Sequence, residues 1–215
     1  KITIRNIKEK IENYSIDKKL IKFVNWFSSY NLASKGMVLK MCLGDKKNLL
    51  KKEDLGIKQE MSKKNSFSLN LAQKNSLNDL RNFGDTFNVS VLQGVTGSGK
   101  TLVYFERIKE IINNKKQVLV LLPEIFLTNQ FKDRFSEYFG FEPAIWHSKI
   151  TPKTKRKIWQ GVIKEKINLV IGARSSLFLP FKKLGIIVVD EEHDSSYKQD
   201  EGVIYNARDM AISRA

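Results

Sequence analysis

The octapeptide at positions 94–101, Gly-Val-Thr-Gly-Ser-Gly-Lys-Thr, restricts the possible folds more than any other part of the chain. It fits the pattern G-x-x-x-x-G-K-[ST], which cradles phosphate groups when it lies between a strand and a helix. Its glycines let the backbone curl so that N–H groups point inward, and the following helix directs its positive dipole end at the same anion. The motif therefore predicts a phosphate-binding loop in an α/β domain.

This loop also has the residues that hold the terminal phosphates of a nucleotide together with Mg²⁺. Lys100 is expected to supply a point charge for the β- and γ-phosphates, and the Thr101 hydroxyl to ligate Mg²⁺. The predicted cofactors are therefore ATP and Mg²⁺. The residues expected to bind the nucleotide are Gly94, Val95, Thr96, Gly97, Ser98, Gly99, Lys100 and Thr101.

Short β-rich runs alternate with helical patterns from Phe67 onward, which favours a doubly wound α/β domain. The first and last of these runs, VSVLQ and IIVVD, are apolar on both faces, as strands of a helix-covered parallel sheet must be. The predicted strands are Val89–Gln93, Val118–Leu122, Ala144–Trp146, Leu169–Ile171 and Ile186–Val189. The predicted helices are Leu71–Phe83, Lys100–Asn113, Leu127–Phe139 and Pro152 to about Lys166.

The last predicted strand ends in four polar residues, Asp-Glu-Glu-His at positions 190–193. Carboxylates at the carboxyl end of a strand lie where open α/β sheets bind ligands. We expect Asp190 to hold Mg²⁺, directly or through water, and Glu191 to orient and deprotonate an attacking water. With Lys100, these two acids are the predicted catalytic residues. His193 has two interpretations: it couples the nucleotide state to a nucleic-acid surface, or it bonds a neighbouring carboxylate.

The N-terminal part of the chain has a different pattern. Lys18–Tyr30 has apolar residues at spacings of three or four, which predicts an amphipathic helix, and Met37–Leu43 is a second apolar stretch, also expected to be helical. Residues 45–66 are rich in lysine and poor in apolar side chains, which is typical of a linker. The predicted apolar face of the first helix contains Leu20, Val24, Phe27 and Tyr30 with Ile21 and Trp26 beside them, and Trp26 and Phe27 are expected to pack between domains.

Composition limits the partners and the compartment. The formal net charge is +15, and residues 1–66 hold 16 basic and 7 acidic residues. Such a surplus suits a polyanion, because each neutralised phosphate releases counterions, but a solvated lysine-rich face has the same composition. A single cysteine, Cys42, excludes an internal disulfide and a cysteine-rich zinc site within these residues. No apolar run approaches the roughly 18 residues that span a bilayer, so we expect no membrane partner and a cytoplasmic location.

Longer blocks around these motifs follow a recognisable order. Positions 190–193 form a DExH-type signature of superfamily 2 helicases, and Val188–Gln199 followed by Tyr205–Asp209 is similar to the PriA family, also called primosomal protein N′. The resemblance is strong over residues 67–215 and weaker over residues 18–44. The other blocks that carry it are the loop at 94–101, Leu122–Ile125 with Leu127, Thr128 and Gln130, Trp146–Ser148 and Ile171–Phe178.

The resemblance implies a fold and a domain organisation. The fold is a RecA-like P-loop NTPase lobe with a mostly parallel, helix-covered sheet, plus a small helical N-terminal segment. Residues 1–44 are the end of an N-terminal DNA-binding region, 45–66 a Lys-rich linker with the winged-helix domain missing or shortened, and 67–215 the first ATP-binding lobe. Because the second lobe is absent, we expect a fragment of a longer protein, with weak ATP hydrolysis alone and zinc only in the downstream part.

The resemblance also implies a function. The implied function is that of an ATP-dependent 3′→5′ DNA helicase that acts in replication restart and primosome assembly at stalled forks. The implied partners are forked or single-stranded DNA, replication-restart proteins and single-stranded-DNA-binding protein, in the nucleoid. Gln73 resembles the glutamine that reads the adenine edge. The residues that the resemblance assigns to DNA binding or coupling are Glu124, Thr128, Arg174, His193, Tyr197 and Tyr205.

Several interpretations stay open from the residues alone. Arg174 follows a predicted strand, and it either binds DNA phosphates or pairs with the acidic cluster. The basic run at 153–157 is expected to be a solvated helix face, and Trp159 and Phe131 are expected to pack in the core. A different DExH translocase, such as a restriction subunit or an RNA helicase, also fits these motifs, and so does a non-catalytic DNA-binding module.

Overall fold

A computed structural model gives the chain as a four-stranded parallel sheet between layers of helices, which confirms the predicted α/β class. The residues described are 14–44, 49, 51, 53–56, 59–61, 68–84, 86–95 and 97–215. The helices are α1 (Lys18–Tyr30), α2 (Lys35–Leu43), α3 (Leu71–Asn82), α4 (Lys100–Asn113), α5 (Asn129–Phe139), α6 (Pro152–Ile163) and α7 (Ala207–Arg214). The strands are β1 (Gln117–Leu121), β2 (Ala144–Trp146), β3 (Leu169–Gly172) and β4 (Leu184–Val189), with β5 (Lys198–Gln199) and β6 (Tyr205–Asn206) in a separate antiparallel pair.

The strand order in the main sheet is β2-β3-β1-β4, and every neighbouring pair is parallel. Four of the five predicted strands are therefore confirmed, with bounds that differ from the predicted ones by two residues at most. The predicted bounds of α1, α4 and β2 are the observed ones. Among the described residues, no helix is long and apolar enough to cross a membrane.

The prediction of a strand at Val89–Gln93 is wrong for this structure. Residues 87–95 have no regular secondary structure, and Val91 is 87% exposed. A five-residue apolar run supplies strand propensity but does not specify a partner, and propensity of this kind depends strongly on context. Among the described strands, β4 pairs only with β1, so the segment before the phosphate loop does not extend the sheet along β4.

The two faces of the sheet bury two separate apolar clusters. Leu119 and Leu121 of β1 belong to one cluster, whereas Val118 and Val120 belong to the other, because successive side chains of a strand point to opposite faces. The first cluster includes residues of α1, α2, α6 and α7, and the second includes residues of α4 and α5. The N-terminal helices therefore share a core with the lobe.

The buried face of α1 differs in part from the predicted one. Leu20, Val24 and Phe27 are buried as expected, but Tyr30 is 65% exposed, and Phe23 takes its place in the core. Positions 20, 23, 24 and 27 follow the three- and four-residue spacing of one helical face. Trp26 stacks on Tyr30 at the surface, with ring centroids 4.9 Å apart, so of the two aromatic residues expected between domains only Phe27 is buried.

Parts of the predicted linker at 45–66 contact the lobe. The buried Gln59 side chain accepts hydrogen bonds from the backbone N–H groups of Asn168 and Leu169 at 2.7 and 2.8 Å, and donates one to the Leu169 carbonyl oxygen. Glu53 forms a 2.8 Å ion pair with Arg156 of α6, and both side chains are largely buried. These described residues therefore pack against the lobe. Arg156, which was predicted to lie on a solvated basic face, is instead held in the ion pair with Glu53.

Helix starts follow the polar residues that precede them. Asn70 caps α3 in a reciprocal capping box with Gln73, and Thr151 caps α6, which begins with Pro152. Thr128 caps α5, so this helix begins at Asn129 and not at the predicted Leu127. Trp159 is buried and Phe131 packs against the core, as predicted.

Candidate functional site

The carboxyl ends of the four parallel strands reach the same edge of the sheet. Leu121, the last residue of β1, is in register with Gly172 of β3 and Val189 of β4, and Gly172 is in register with Trp146 of β2. The segments that follow these strands therefore emerge side by side. They contain Glu124, Ser148, Arg174 and Asp190, and such an edge is where open α/β sheets bind ligands.

The loop at 94–101 has the backbone conformation that its glycines make possible. Gly97 and Gly99 both have φ of +81°, a left-handed region that other residues rarely adopt. A Cβ atom at Gly99 would lie 2.3 Å from the Gln73 side-chain nitrogen, so no larger residue fits there without displacing Gln73. Thr96, one of the predicted nucleotide ligands, lies outside the described residues.

The start of α4 suits an anion. Gly99 precedes the helix and contributes no side-chain cap, so the first N–H groups of α4 have no capping side chain. The Lys100 ammonium lies 2.6 Å from the Gly94 carbonyl oxygen, within the same loop. A lysine, N–H groups without a side-chain cap and a helix dipole lie together here, and this set of donors fits the phosphates of a nucleotide.

Gln73 joins α3 to the phosphate loop. Its side-chain nitrogen donates to the Ser98 carbonyl oxygen at 3.0 Å, and its side-chain oxygen accepts from the Asn70 backbone N–H at 3.0 Å. The predicted adenine-reading residue is thus positioned beside the loop. The tether itself was missed from the sequence, because a capping box predicts only the contact within the helix.

A tyrosine of α4 connects this helix to Asp190 by a hydrogen bond. The Tyr104 hydroxyl donates to the Asp190 Oδ2 atom at 2.8 Å, and Tyr104 lies in α4, three residues after Thr101. The Asp190 Oδ1 atom accepts the Glu191 backbone N–H at 3.0 Å. The bond from Tyr104 therefore links α4, which contains Thr101, to the Asp190 carboxylate. The hydroxyl oxygen of Thr101 and the carboxylate oxygens of Asp190, the two predicted Mg²⁺ ligands, fit the ligand preference of Mg²⁺.

Tyr104 is a site residue that the sequence analysis missed. Burial and the neighbouring Asp190 carboxylate raise the pKa of Tyr104 well above its ordinary value, so the hydroxyl stays protonated and acts as a donor. A signal was present in the sequence, because residues three apart on a helix lie on the same face, and Tyr104 is three residues after Thr101.

Glu191 occupies a strained position. Its φ is +49°, which is uncommon for a residue other than glycine and costs on the order of 1–3 kcal/mol. The turn is closed by the Asp194 N–H, which donates to the Glu191 carbonyl oxygen at 2.9 Å. The His193 Nε2 atom is 3.7 Å from the Glu191 carboxylate, too far for a hydrogen bond, and the imidazole is largely exposed.

Tyr197 lies beneath the acidic turn. Its ring is 1% exposed, and its hydroxyl lies 2.9 Å from the Leu121 carbonyl oxygen and 2.6 Å from that of Asp190. Burial, and then the Asp190 charge, raise the pKa of Tyr197. The Ser196 side chain and N–H hold the pKa of Asp194 below its ordinary value. Tyr197 therefore ties the ends of β1 and β4 to the turn that follows them.

A cleft of about 450 Å³ opens at the same edge of the sheet, and Glu124, Ser148, Arg174 and Tyr197 are among its lining residues. Glu124 accepts hydrogen bonds from the Ser148 N–H at 3.1 Å and hydroxyl at 3.0 Å. Arg174 donates to the carbonyl oxygens of Ser196 and Lys198, at 3.0 and 2.6 Å. Within the described residues Arg174 forms no ion pair with the acidic cluster at 190–193, since it braces the loop around Tyr197, and its binding of DNA phosphates stays a prediction.

Two further residues predicted for DNA binding or coupling have structural contacts. Tyr205 is buried, and its ring packs edge-on against Phe27 and Phe178 at 5.4 and 5.5 Å. Thr128 accepts a hydrogen bond from the Phe131 N–H as the cap of α5. In this conformation neither Tyr197 nor Tyr205 presents a ring on which a base can stack, so any coupling role must act through the packing of both rings and the hydrogen bonds of Tyr197.

A family model described as DEAD/DEAH box helicase matches residues 70–213, which include the phosphate loop and the acidic turn. The chain belongs to the DEAD/DEAH box helicase family. The RecA-like fold predicted from the sequence is thereby confirmed, and the four parallel strands agree with it. A DEAD/DEAH box helicase domain implies the use of a nucleotide.

Curated relatives identify the branch of DEAD/DEAH box helicases that this chain resembles. It is 42% identical to a replication restart protein PriA of Rickettsia felis over 212 residues, which are 98% of this chain and 32% of that relative. It is 45% identical to PriA of Bacillus subtilis over 61% of this chain and 16% of the relative, and 45% identical to PriA of Haemophilus influenzae over 74% and 22%. The predicted PriA resemblance is confirmed, and the chain spans about a third or less of the length of these relatives.

Proposed function

We propose that this chain is the first ATP-binding lobe of a DNA helicase that acts in replication restart. The observation that carries the proposal is the hydrogen bond from Tyr104 to Asp190, because it joins the helix of the phosphate loop to the acidic strand end. The names of the curated relatives support the DNA substrate and the replication-restart context. The 3′→5′ direction, the primosome partners and the nucleoid location are part of the proposal by resemblance.

In the proposed site, four side chains have separate roles in ATP hydrolysis. Lys100 holds the β- and γ-phosphates, and Thr101 and Asp190 hold Mg²⁺, which when bound neutralises charge on those phosphates. Glu191 orients the attacking water and accepts its proton. A second lobe is expected to add a cationic group, which is typically worth about 10³–10⁵ in rate. This lobe alone is therefore expected to bind ATP and to hydrolyse it poorly.

DNA is proposed to run along the cleft lined by Glu124 and Arg174. A bound strand there contacts the loop around Tyr197, whose flanking carbonyls accept hydrogen bonds from Arg174. Tyr197 in turn bonds the Asp190 backbone. Movement of the loop on DNA binding is thus passed to the Mg²⁺ ligand through one buried hydroxyl, which is our proposal for how DNA stimulates hydrolysis. His193 and Tyr205 are assigned to the same coupling surface.

Gly99→Ala is expected to weaken ATP binding by about tenfold or more. The left-handed φ strains any other residue by on the order of 1–3 kcal/mol, and the new methyl group displaces Gln73 from the loop. Gly36→Ala is the matched control, since a Cβ atom at Gly36 meets no atom within 4 Å and its backbone φ is not in the left-handed region. Titration calorimetry with Mg·ATP measures both variants, and equal affinity of Gly99→Ala and the unmodified protein would contradict the assignment of the loop.

The choice of nucleic acid distinguishes the proposal from its rivals. We expect ATP hydrolysis by the intact protein to rise with forked and single-stranded DNA and to stay low with RNA of the same sequence. Stimulation by RNA but not by forked DNA would favour an RNA helicase. Binding of DNA with no hydrolysis under any condition would favour a non-catalytic module. The assay measures phosphate release at matched nucleotide concentrations of each polymer.

A further inference from the structure

The side chain of Tyr104 makes a contact that the roles assigned above leave unexplained. Tyr104 is 6% exposed, and its ring packs edge-on against Phe105 at 5.3 Å. Its hydroxyl is nevertheless not used for packing, because it donates to the Asp190 carboxylate at 2.8 Å. A phenylalanine would fill the same space, so the hydroxyl has a purpose other than core volume.

The geometry of Asp190 indicates what that purpose is. Each carboxylate oxygen has one protein donor: Oδ2 accepts from Tyr104 and Oδ1 accepts from the Glu191 N–H. Two donors on different oxygens fix the plane of the carboxylate, and each oxygen keeps a second lone pair for a cation. The backbone of Asp190 is held separately by the Tyr197 hydroxyl. Among the described residues, Tyr104 is thus the side-chain donor that fixes the orientation of the Asp190 carboxylate.

We propose that Tyr104 is a positioning residue that pre-arranges the Asp190 carboxylate as a ligand of Mg²⁺. The inference rests on the proposed function, because it deepens the assignment of the same site. Octahedral Mg²⁺ tolerates little error in the direction of its ligands, so a carboxylate free to rotate binds it less well. The hydroxyl does not touch the nucleotide itself, and its effect is expected only when Mg²⁺ takes part.

The test is the Mg²⁺ dependence of nucleotide binding by the Tyr104→Phe variant of the intact protein. The probe is adenylyl imidodiphosphate, an ATP analogue that is not hydrolysed, titrated by calorimetry with increasing Mg²⁺ and separately in EDTA. We expect the Mg²⁺ concentration for half-maximal effect to rise about tenfold, which is the usual scale for losing one hydrogen bond to a charged group. Affinity in EDTA should stay within about twofold of the unmodified protein.

The matched control is Tyr138→Phe. Tyr138 is also buried, and its hydroxyl also donates to a carboxylate, that of Glu106 in α4, but this pair is not part of the proposed site. The control should change neither the Mg²⁺ midpoint nor the affinity in EDTA. An unchanged midpoint in Tyr104→Phe, or an equal loss of affinity with Mg²⁺ and with EDTA, would overturn the positioning role. Failure of the unmodified protein to bind the analogue at all would instead overturn the proposed function, and the inference with it.

Discussion

Replacing Lys100 with alanine is expected to reduce DNA-stimulated ATP hydrolysis by at least about 10²–10³-fold, since removing one preorganised charge or donor from a transition state costs this much. Lys100 lies at the start of α4, and within the described residues its ammonium donates hydrogen bonds only to the carbonyl oxygens of Gly94 and Val95. The substitution removes no core contact, so the fold is expected to survive. Phosphate release by the intact protein with forked DNA measures the effect.

Lys109→Ala is the control for this experiment. Lys109 lies on the same helix, is 38% exposed, and approaches the Glu106 carboxylate only at 3.9 Å. Exposed pairs of this kind contribute little to stability, so the control should keep near-normal activity. If Lys100→Ala and Lys109→Ala had equal DNA-stimulated turnover, the phosphate loop would take no part in ATP hydrolysis.

Replacing Trp159 with alanine is expected to lower the free energy of unfolding by about 3–5 kcal/mol. Trp159 is 1% exposed, and its indole N–H donates to the Cys42 carbonyl oxygen at 2.8 Å at the end of α2. Its ring also meets Tyr14 edge-on at 5.3 Å, ahead of α1. The substitution therefore removes the side chain that holds the N-terminal helices on the lobe. Urea unfolding followed by circular dichroism measures the loss.

Two other tryptophan substitutions separate the contribution of the Trp159 hydrogen bond from that of its buried ring. Trp159→Phe keeps most of the apolar volume but loses the hydrogen bond, and it leaves the Cys42 carbonyl oxygen without this donor, which costs about 1–3 kcal/mol. Trp26→Ala removes an exposed ring that stacks on Tyr30, and it should cost less than about 1 kcal/mol. If Trp159→Ala were as mild as Trp26→Ala, the N-terminal helices would not share a core with the lobe.

The local parts of the fold were predictable from the sequence because the forces that set them act over a few residues. Asn70 and Thr151 accept hydrogen bonds from backbone N–H groups three positions later, so the starts of α3 and α6 can be located from residue type alone. The spacing of apolar residues located α4 for the same reason. The segment at 89–93 shows the limit, because a strand requires a partner edge that no local pattern specifies.

The candidate site likewise has parts that could be predicted from neighbouring residues and parts that could not. The loop at 94–101 could be assigned from eight consecutive residues, since its glycines, lysine and helix dipole act on one anion. The contacts of Arg174 and the burial of Tyr197 could not be assigned, because each depends on a loop that folds back beside the end of another strand. The resemblance assigned these residues to DNA binding or coupling, which stays a prediction, and left their contacts undetermined.

The sequence by itself therefore determined the α/β class, the phosphate loop and the acidic strand end, because each is specified by neighbouring residues and by backbone geometry. Only the tertiary structure decided that Tyr104 of α4 bonds the Asp190 carboxylate, 86 positions away along the chain. It also decided that α1 and α2 complete the core on one face of the sheet. The physical reason is that parallel strands are paired through crossovers, so residues distant in sequence meet only once the register of the sheet is set.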